Sequence, residues 1–220
     1  MTISAMIFDM DGTLVDSERI HWQAWKQTLA DHGLEVPDYG DFNKYVGVSD
    51  EQMAREFSEA AESEVEPDRL VARKCQTYLE LVPQIELLPG VIETLDRWRD
   101  RFTMAVASSS PYRELSALLE HHRLSEYFVQ VVGGDMVNNK KPDPDIYQMA
   151  VERLGVAPSS CIAFEDSQSG IAAAKSAGLK AVASPQRMSV DHDFSKADLI
   201  LNILSEFDQR LLQQLSASTG

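Results

Sequence analysis

The sequence predicts an α/β protein with a doubly wound parallel sheet and a small α-helical domain inserted after the first strand. Two observations lead to this prediction. From Pro89 onward, short apolar segments alternate with helical segments, which is typical of a parallel sheet covered by helices on both faces. Between residues 17 and 82 a polar, helical stretch without a convincing strand interrupts this alternation. We therefore divide the chain into a core domain of residues 1–16 and 83–220 and a cap domain of residues 17–82.

The first strand is predicted at residues 4–8, a short apolar run that ends in acidic residues. Two helices are predicted in the inserted region. One covers residues 18–32, because its apolar side chains recur at helical spacing up to the terminator Gly33. The other begins near Asp50, where residues 49–52 have the form of a capping box. Hinges are expected where the insertion leaves and rejoins the core, near residues 15–17 and 82–88.

The rest of the chain supplies the remaining strands and helices of the core. Strands are predicted at residues 103–107, 129–132, 161–164, 181–183 and 199–201. Helices are predicted with Pro111 at the first position, after Asp143–Pro144 up to Gly155, and over residues 169–177 up to Gly178.

Composition excludes several classes of function. The 220 residues carry a net charge of −15, which argues against a nucleic-acid surface because such surfaces need clustered Lys and Arg. No apolar run approaches membrane-spanning length, and no secretory signal is visible at the N-terminus. We therefore expect a cytoplasmic protein that binds neither nucleic acid nor a membrane.

The most informative motif is the string Asp9–Met10–Asp11–Gly12–Thr13, which follows the first predicted strand. Two carboxylates two residues apart at a strand end can point the same way, and Gly12 allows a sharp turn. One carboxylate can attack a phosphorus atom while the other manages a proton. An Asp-Gly turn alone would be a weak signal, but the full string is far more specific.

Three further polar sites each follow another predicted strand. Residues 108–111, Ser-Ser-Ser-Pro, can bind an anion at a helix start, although helix capping alone would also explain them. Lys141 lies next to a proline and is either a positioned charge for a phosphate or carboxylate, or a solvated lysine. Glu165 and Asp166 suit Mg²⁺, and the alternative is an acidic helix cap.

Together, the four sites favour one chemistry more strongly than any of them does alone. Ligands of parallel α/β sheets bind at the carboxyl ends of the strands, so these sites can converge in space. A phosphate dianion repels a carboxylate nucleophile unless cations neutralise it, and Mg²⁺ and a lysine would do so. The sequence therefore predicts a magnesium-dependent phosphoryl-transfer enzyme.

These motifs, in this order, resemble the four signature motifs of the haloacid dehalogenase superfamily. The resemblance covers nearly the whole chain and implies a Rossmann-like core with a cap in the position predicted here. Within the superfamily the chain is most similar to the subgroup of β-phosphoglucomutase and sugar-phosphate phosphatases. The cap segments that carry this closer resemblance are Asp16–Ser17–Glu18 with His21 and Trp25, then Gly47–Val48–Ser49, and then Arg73–Lys74.

The resemblance implies a role for each motif residue. Asp9 would be the nucleophile that forms an aspartyl-phosphate, and Asp11 the general acid/base. The transferring phosphoryl group would be bound by Ser108, Ser109 and Lys141. Mg²⁺ would be held by Asp9, the backbone carbonyl of Asp11, and Asp166, with Glu165 contributing directly or through water.

Two cap residues, His21 and Lys74, would face the active site and contact the substrate. Each has an ordinary alternative, since His21 could be a packing residue of its helix and Lys74 a solvated residue. Capped enzymes of this kind are often monomers, so we expect a monomer.

The motifs serve the first half-reaction, which a phosphatase and a mutase share. β-Phosphoglucomutase carries an arginine after its Gly-Val-Ser cap motif to bind a distal phosphate, and Asp50 stands there in this chain. A carboxylate would repel such a phosphate, and Thr13 also fits the phosphatase form. We therefore expect a phosphatase that acts on a small phosphorylated metabolite, with a sugar phosphomutase as the alternative.

A third possibility is a catalytically silent binding protein on the same scaffold. That possibility requires a lost core residue, and every motif residue is present.

Overall fold

The computed structural model of the chain describes residues 2–45, 48–61, 65–186 and 189–217. Within them, the strands are β1 (Ala5–Phe8), β2 (Val15–Asp16), β3 (Glu86–Leu87), β4 (Thr103–Ser108), β5 (Gln130–Gly133), β6 (Cys161–Glu165), β7 (Lys180–Ala183) and β8 (Leu199–Ile200). The α-helices are α1 (Glu18–Asp31), α2 (Asp50–Ala60), α3 (Pro67–Leu81), α4 (Val91–Trp98), α5 (Tyr112–His121), α6 (Asp145–Leu154), α7 (Gln168–Ser176) and α8 (Gln209–Ala217).

Six of these strands form one parallel sheet in the order β5-β4-β1-β6-β7-β8. The first strand of the chain lies near the centre, with Phe8 in register with Val106 on one side and Phe164 on the other. The chain returns to both sides of β1, so the sheet is doubly wound as predicted. The loops after β1, β4 and β6 consequently leave the sheet side by side.

The two faces of the sheet differ in side-chain size because residues alternate along each strand. On one face, large side chains such as Phe8 and Phe164 pack against α4, α5 and α8. On the other face, small side chains such as Ala105 and Ala163 pack against α6 and α7. The alanines allow these two helices to lie close to the sheet, and both helices begin beside the polar loops.

The inserted region forms a helical layer with its own small apolar cluster. Helices α1, α2 and α3 enclose Trp25, Leu29, Met53 and Phe57, together with aromatic side chains of a 3-10 helix at Tyr39–Tyr45. These residues are predicted to form the cap domain, and the division at residues 17 and 82 stays a prediction.

At the start of α2, one of the two hydrogen bonds of the predicted capping box is present. The Ser49 hydroxyl accepts a hydrogen bond from the Gln52 backbone N–H at 3.2 Å. The Gln52 side chain donates instead to Glu56, one turn further along the helix. Gly47, part of the predicted cap motif before this helix, lies outside the described residues.

A short antiparallel ribbon, which we did not predict, joins the two ends of the insertion. Strand β2 pairs with β3, with Val15 opposite Leu87 and Asp16 opposite Glu86. Each strand has only two residues, which is too short for a periodic pattern to be visible. The ribbon lies within the two segments that we predicted as hinges.

The remaining differences from the predicted elements are small. Pro111 immediately precedes α5 rather than occupying its first helical position. Helices α4 and α8 were not individually predicted, although alternation of strands and helices was. Within the described ranges, no helix is both long and apolar enough to span a bilayer.

Burial on α4 gives a direct test of the packing. Leu95 is fully buried against the sheet, whereas Ile92 on the same helix is 41% exposed. We expect Leu95→Ala to lower the free energy of unfolding by about 2–5 kcal/mol, because it leaves a cavity in the core. Ile92→Ala, the matched control, should cost less than about 1 kcal/mol in urea denaturation. Equal losses would contradict the packing described here.

Candidate active site

The predicted polar residues meet at the carboxyl edge of the sheet. Asp9 and Asp11 follow β1, Ser108 is the last residue of β4, and Asp166 follows β6. Lys141 reaches the same place from the loop between β5 and α6, where its ammonium group contacts Asp9. The doubly wound topology therefore brings together side chains from four distant parts of the sequence.

Lys141 is the centre of this cluster. Its side chain is only 4% exposed, and its Nζ donates to Asp9 Oδ1 at 2.5 Å and to the Ala107 carbonyl at 3.0 Å. The same Nζ lies 2.6 Å from Glu165 Oε1. Burial opposes the charge, but the two carboxylates raise the pKa of Lys141 above its usual range, so it is an ammonium ion at neutral pH.

The carboxylates around Lys141 outnumber its single charge. One oxygen from each of Asp9, Glu165 and Asp166 lies within 4.8 Å of the others, and all three residues are buried. Burial raises the pKa of Asp9 to about 8 although Lys141 opposes this shift, and burial also raises the pKa of Asp166. Because burial disfavours charge on these carboxyl groups, a hard divalent cation such as Mg²⁺, which prefers oxygen ligands, would stabilise their ionised forms.

The three carboxylates are not equivalent as metal ligands. Glu165 Oε1 accepts from the Tyr147 hydroxyl at 2.6 Å, and Glu165 Oε2 accepts from Ser167 Oγ at 3.1 Å. Asp166 has one contact of this kind, a 3.3 Å hydrogen bond from Ser189 Oγ. Asp9 and Asp166 are therefore the better candidates for direct ligands, since both oxygens of Glu165 already accept hydrogen bonds.

Asp11 lies in a different environment, rich in hydrogen-bond donors. Its Oδ1 accepts from Ser17 Oγ at 2.5 Å and lies 3.0 Å from His21 Nε2, and its Oδ2 accepts from Ser110 Oγ at 2.6 Å. Burial disfavours the charge, but His21 and these hydroxyls hold the pKa of Asp11 below its usual range. Two carboxylates two residues apart thus have pKa values shifted in opposite directions, which is typical of sites where the two acids have different roles.

The serines after β4 are placed close to both aspartates. Ser108 Oγ accepts from the Ser110 backbone N–H at 3.1 Å and lies 3.4 Å from Asp11 Oδ2. Ser109 lines the same pocket. Ser110, rather than Ser109, makes the short contact with Asp11, and the sequence offers no signal to choose between identical neighbours.

A pocket lies between this cluster and the inserted helices. Its floor includes Asp9, Asp11 and Lys141, and its opposite wall includes Trp25 and Tyr45. His21 lines it and stacks on Tyr78 with ring centroids 4.4 Å apart. The pocket therefore combines a charged end with an apolar wall.

Lys74 is placed differently from what the resemblance implies. Its side chain is fully buried, and its Nζ lies 2.8 Å from Asp50 Oδ2 and 3.2 Å from both carboxylate oxygens of Glu114. Among the described residues that line the pocket, Asp50 is present and Lys74 is absent. Lys74 thus contacts the pocket through Asp50, which also accepts from Trp25 Nε1.

The contact between Lys74 and Asp50 changes one inference drawn from the sequence. Asp50 was expected to repel a second phosphate as an isolated carboxylate. Burial opposes its charge, yet Lys74 lowers the pKa of Asp50, and the ammonium offsets the resulting negative charge. Asp50 would therefore repel the second phosphate of a bisphosphate substrate less strongly than its sequence position alone suggests.

Several residues of the site were not predicted. Tyr147 supports Glu165 from inside α6, and Glu114 supports Lys74 from α5, where both read as ordinary helix positions. Lys140 and Glu18 line the pocket. Lys140 belongs to a Lys-Lys pair of which only Lys141 matches a motif, so no sequence pattern distinguishes it.

Gly12 provides a test of the carboxylate cluster. It has a φ of 73°, and a Cβ there would lie 2.3 Å from Asp166 Oδ2, whereas Gly155 has a φ of 67° with nothing within 4 Å. Gly12→Ala and Gly155→Ala should each cost about 1–2 kcal/mol for the left-handed backbone. Only Gly12→Ala should weaken Mg²⁺ binding, by about tenfold or more, because it displaces Asp166, a candidate ligand. Equal Mg²⁺ affinities by calorimetry would contradict this assignment.

Glu18 predicts a pH dependence of anion binding. Burial, with Asp16 and Asp11 nearby, raises its pKa to about 7, so its negative charge appears as the pH rises through neutrality. Sulfate, whose charge is constant in this range, should bind more weakly at pH 8 than at pH 6. Glu18→Gln should bind sulfate as the wild type does at pH 6 and more tightly than the wild type at pH 8. Identical calorimetric affinities of both proteins at pH 8 would contradict the prediction.

Comparison with known proteins finds a matching family and relatives of similar length. The family model for haloacid dehalogenase-like hydrolases matches residues 6–184. Protein CbbY of Rhodobacter capsulatus is 35% identical over 98% of this chain and 100% of its own length. Fructose-1-phosphate phosphatase YqaB of Escherichia coli is 35% identical over 81% of this chain and 95% of its own length.

A solved structure shares the fold as well. The crystal structure of CbbY from Rhodobacter sphaeroides in complex with phosphate has a TM-score of 0.87, with 30% identity over 93% of this chain and 96% of that chain. The matched region contains all four motifs, and the parallel sheet brings those motifs to one pocket. The chain belongs to the haloacid dehalogenase-like hydrolase family.

Proposed function

We propose that this protein is a Mg²⁺-dependent phosphatase that hydrolyses a small phosphorylated metabolite, a sugar phosphate, through a phosphorylated Asp9. The observation that carries the proposal is the position of Asp9, buried at the pocket floor with its carboxylate 2.5 Å from Lys141 and close to Asp166. Similarity to a fructose-1-phosphate phosphatase supports the substrate class.

In the first step, the Asp9 carboxylate attacks the phosphorus atom, and the bond to the sugar oxygen breaks. The approach of two anions requires compensating positive charge, which Lys141 supplies at the Asp9 end. Ser108 lines the pocket beside Asp11 and would bind a phosphoryl oxygen. Mg²⁺, held by Asp9 and Asp166, would neutralise the charge that the phosphoryl group brings to the site.

Asp11 and His21 are the residues that transfer protons in the two steps. The leaving sugar oxygen needs a proton, and the second step needs a base that takes a proton from the attacking water. The lowered pKa keeps Asp11 ionised, so it can accept the proton of the attacking water. His21 lies 3.0 Å from Asp11, and the proton that the pair takes from this water is the one that it gives to the leaving oxygen of the next substrate. The pair then returns to its starting state when water has released phosphate from Asp9.

The inserted helices supply the rest of the binding site. Trp25, Tyr45 and Met53 present apolar surface to the pocket, opposite the charged floor. A sugar ring bound between them would exclude water from the side of the leaving group. We propose that residues 17–82 open and close over the substrate, with the β2–β3 ribbon at the hinge.

A sugar phosphomutase remains the second candidate, because Lys74 offsets the charge of Asp50 at the pocket wall. Both enzymes would form the same phosphorylated Asp9 and differ in whether water or a sugar hydroxyl accepts the phosphoryl group. Incubation of a hexose phosphate with enzyme and Mg²⁺ separates them. Release of inorganic phosphate supports the phosphatase, and an isomerised sugar phosphate without net release supports the mutase.

Asp9→Asn tests the nucleophile. We expect kcat/KM for p-nitrophenyl phosphate to fall by about three orders of magnitude or more, because an amide is a poor nucleophile toward phosphorus. Phosphate release with a panel of sugar phosphates should show the same loss, and acid-quenched wild-type enzyme should contain a phosphorylated Asp9 peptide.

The matched control is Asp100→Asn, an exposed carboxylate in the turn before β4, at the opposite edge of the sheet. This variant should retain wild-type activity. Undiminished hydrolysis by the Asp9→Asn enzyme would exclude Asp9 as the nucleophile.

A further inference from the structure

Lys140 lies beside Lys141 but faces another part of the pocket. The Lys141 ammonium contacts Asp9 and Glu165 in the core, whereas the Lys140 ammonium contacts Glu51 in the first turn of α2. Lys140 Nζ lies 2.8 Å from Glu51 Oε1 and 2.7 Å from Glu51 Oε2. The contact therefore joins the core loop to the helix that forms the opposite wall.

The lysines near the pocket differ in how firmly they are paired. Lys141 and Lys74 are buried, with two carboxylate partners each. Lys140 is 19% exposed and Glu51 is 41% exposed. Partly exposed pairs contribute about 0.2–1 kcal/mol. Among the described pocket-lining residues, Lys140 is thus the lysine whose carboxylate partner is most easily displaced.

Glu51 holds Lys140 as a bound anion would. Its two oxygens both lie within hydrogen-bond distance of the ammonium, the arrangement expected for a carboxylate or a phosphate on a lysine. The Lys140 side chain also passes over Gly134, since a Cβ there would lie 3.1 Å from Lys140 Cε. The Cβ would also lie 2.1 Å from the Ser109 carbonyl oxygen, so Gly134 leaves room for the loop after β4 as well as for Lys140.

We propose that Lys140 is the binding site for a second anionic group of the substrate, and that Glu51 occupies this site when the substrate is absent. This inference rests on the proposed function. It narrows the substrate class to phosphorylated sugars or sugar acids that carry a second phosphate or a carboxylate. The transferring phosphoryl group binds at Asp9, and the second group displaces Glu51 from Lys140 at the pocket wall.

The test compares substrates that differ in the second anion. Fructose 1-phosphate and fructose 1,6-bisphosphate differ by one phosphate, and glucose 6-phosphate and 6-phosphogluconate differ by one carboxylate. Initial rates of phosphate release give kcat and KM for each, and calorimetry in the Asp9→Asn background gives affinity without turnover.

Two variants should change the KM of the bisphosphate in opposite directions. Lys140→Ala should raise its KM by about tenfold or more and leave that of the monophosphate within about twofold. Glu51→Gln removes the competing charge and should lower the KM of the bisphosphate by about threefold without helping the monophosphate. Lys196→Ala, an exposed lysine distant in sequence from the site, is the control and should change neither value.

Each outcome decides a separate point. The same opposite shifts with 6-phosphogluconate instead of the bisphosphate would assign the subsite to a carboxylate. Equal effects of Lys140→Ala on both members of each pair, or parallel losses in Lys140→Ala and Glu51→Gln, would show that the pair only holds the cap and would overturn the inference. Failure of the wild type to hydrolyse p-nitrophenyl phosphate would instead contradict the proposed function.

Discussion

Lys141 has its ammonium group in the protein interior, between the carboxylates of Asp9 and Glu165 and the carbonyl of Ala107. A buried charge is tolerated only when it is paired and hydrogen-bonded, so all three partners must arrive at the correct place. They come from β1, β6 and β4, and the lysine comes from the loop after β5. Four segments of the sheet edge are thereby held in one arrangement, which is also the arrangement that phosphoryl transfer needs.

A second buried lysine joins the inserted helices to the core in the same way. Lys74 is buried between Asp50 and Glu114, so α3, α2 and α5 meet at one ammonium group. In both clusters the lysine is outnumbered by carboxylates. Burial raises the pKa of Asp9, Asp166 and Glu114 alike, but among the described residues three carboxyl groups lie close enough to share a metal ion only at Lys141. The first cluster lies at the proposed reaction site, and the second ties the pocket wall to the core.

Much of the fold and of the reacting centre could be predicted from the sequence, because both depend on patterns. Apolar runs mark β1, β4 and β6, and Asp9, Asp11, Lys141 and Asp166 each lie in a polar segment that follows a predicted strand. The supporting residues could not be predicted in this way. Tyr147, Glu114 and Lys140 acquire their roles only from tertiary contacts between elements distant in sequence. The two-residue strands of the ribbon lack periodicity, and the environment of Lys74 depends on Glu114 of α5, which is 40 residues away in sequence.

We propose that Asp9, Lys141 and Asp166 surround one divalent ion and one phosphoryl group. A crystal structure of the protein soaked with Mn²⁺ and inorganic phosphate would test this most directly, since Mn²⁺ can stand in for Mg²⁺ and is located by its anomalous scattering. We expect one anomalous peak in contact with Asp9 and Asp166, and a phosphate ion in contact with Lys141 and Ser108. A peak away from these carboxylates, or a phosphate bound elsewhere in the pocket without contact to Lys141, would contradict it.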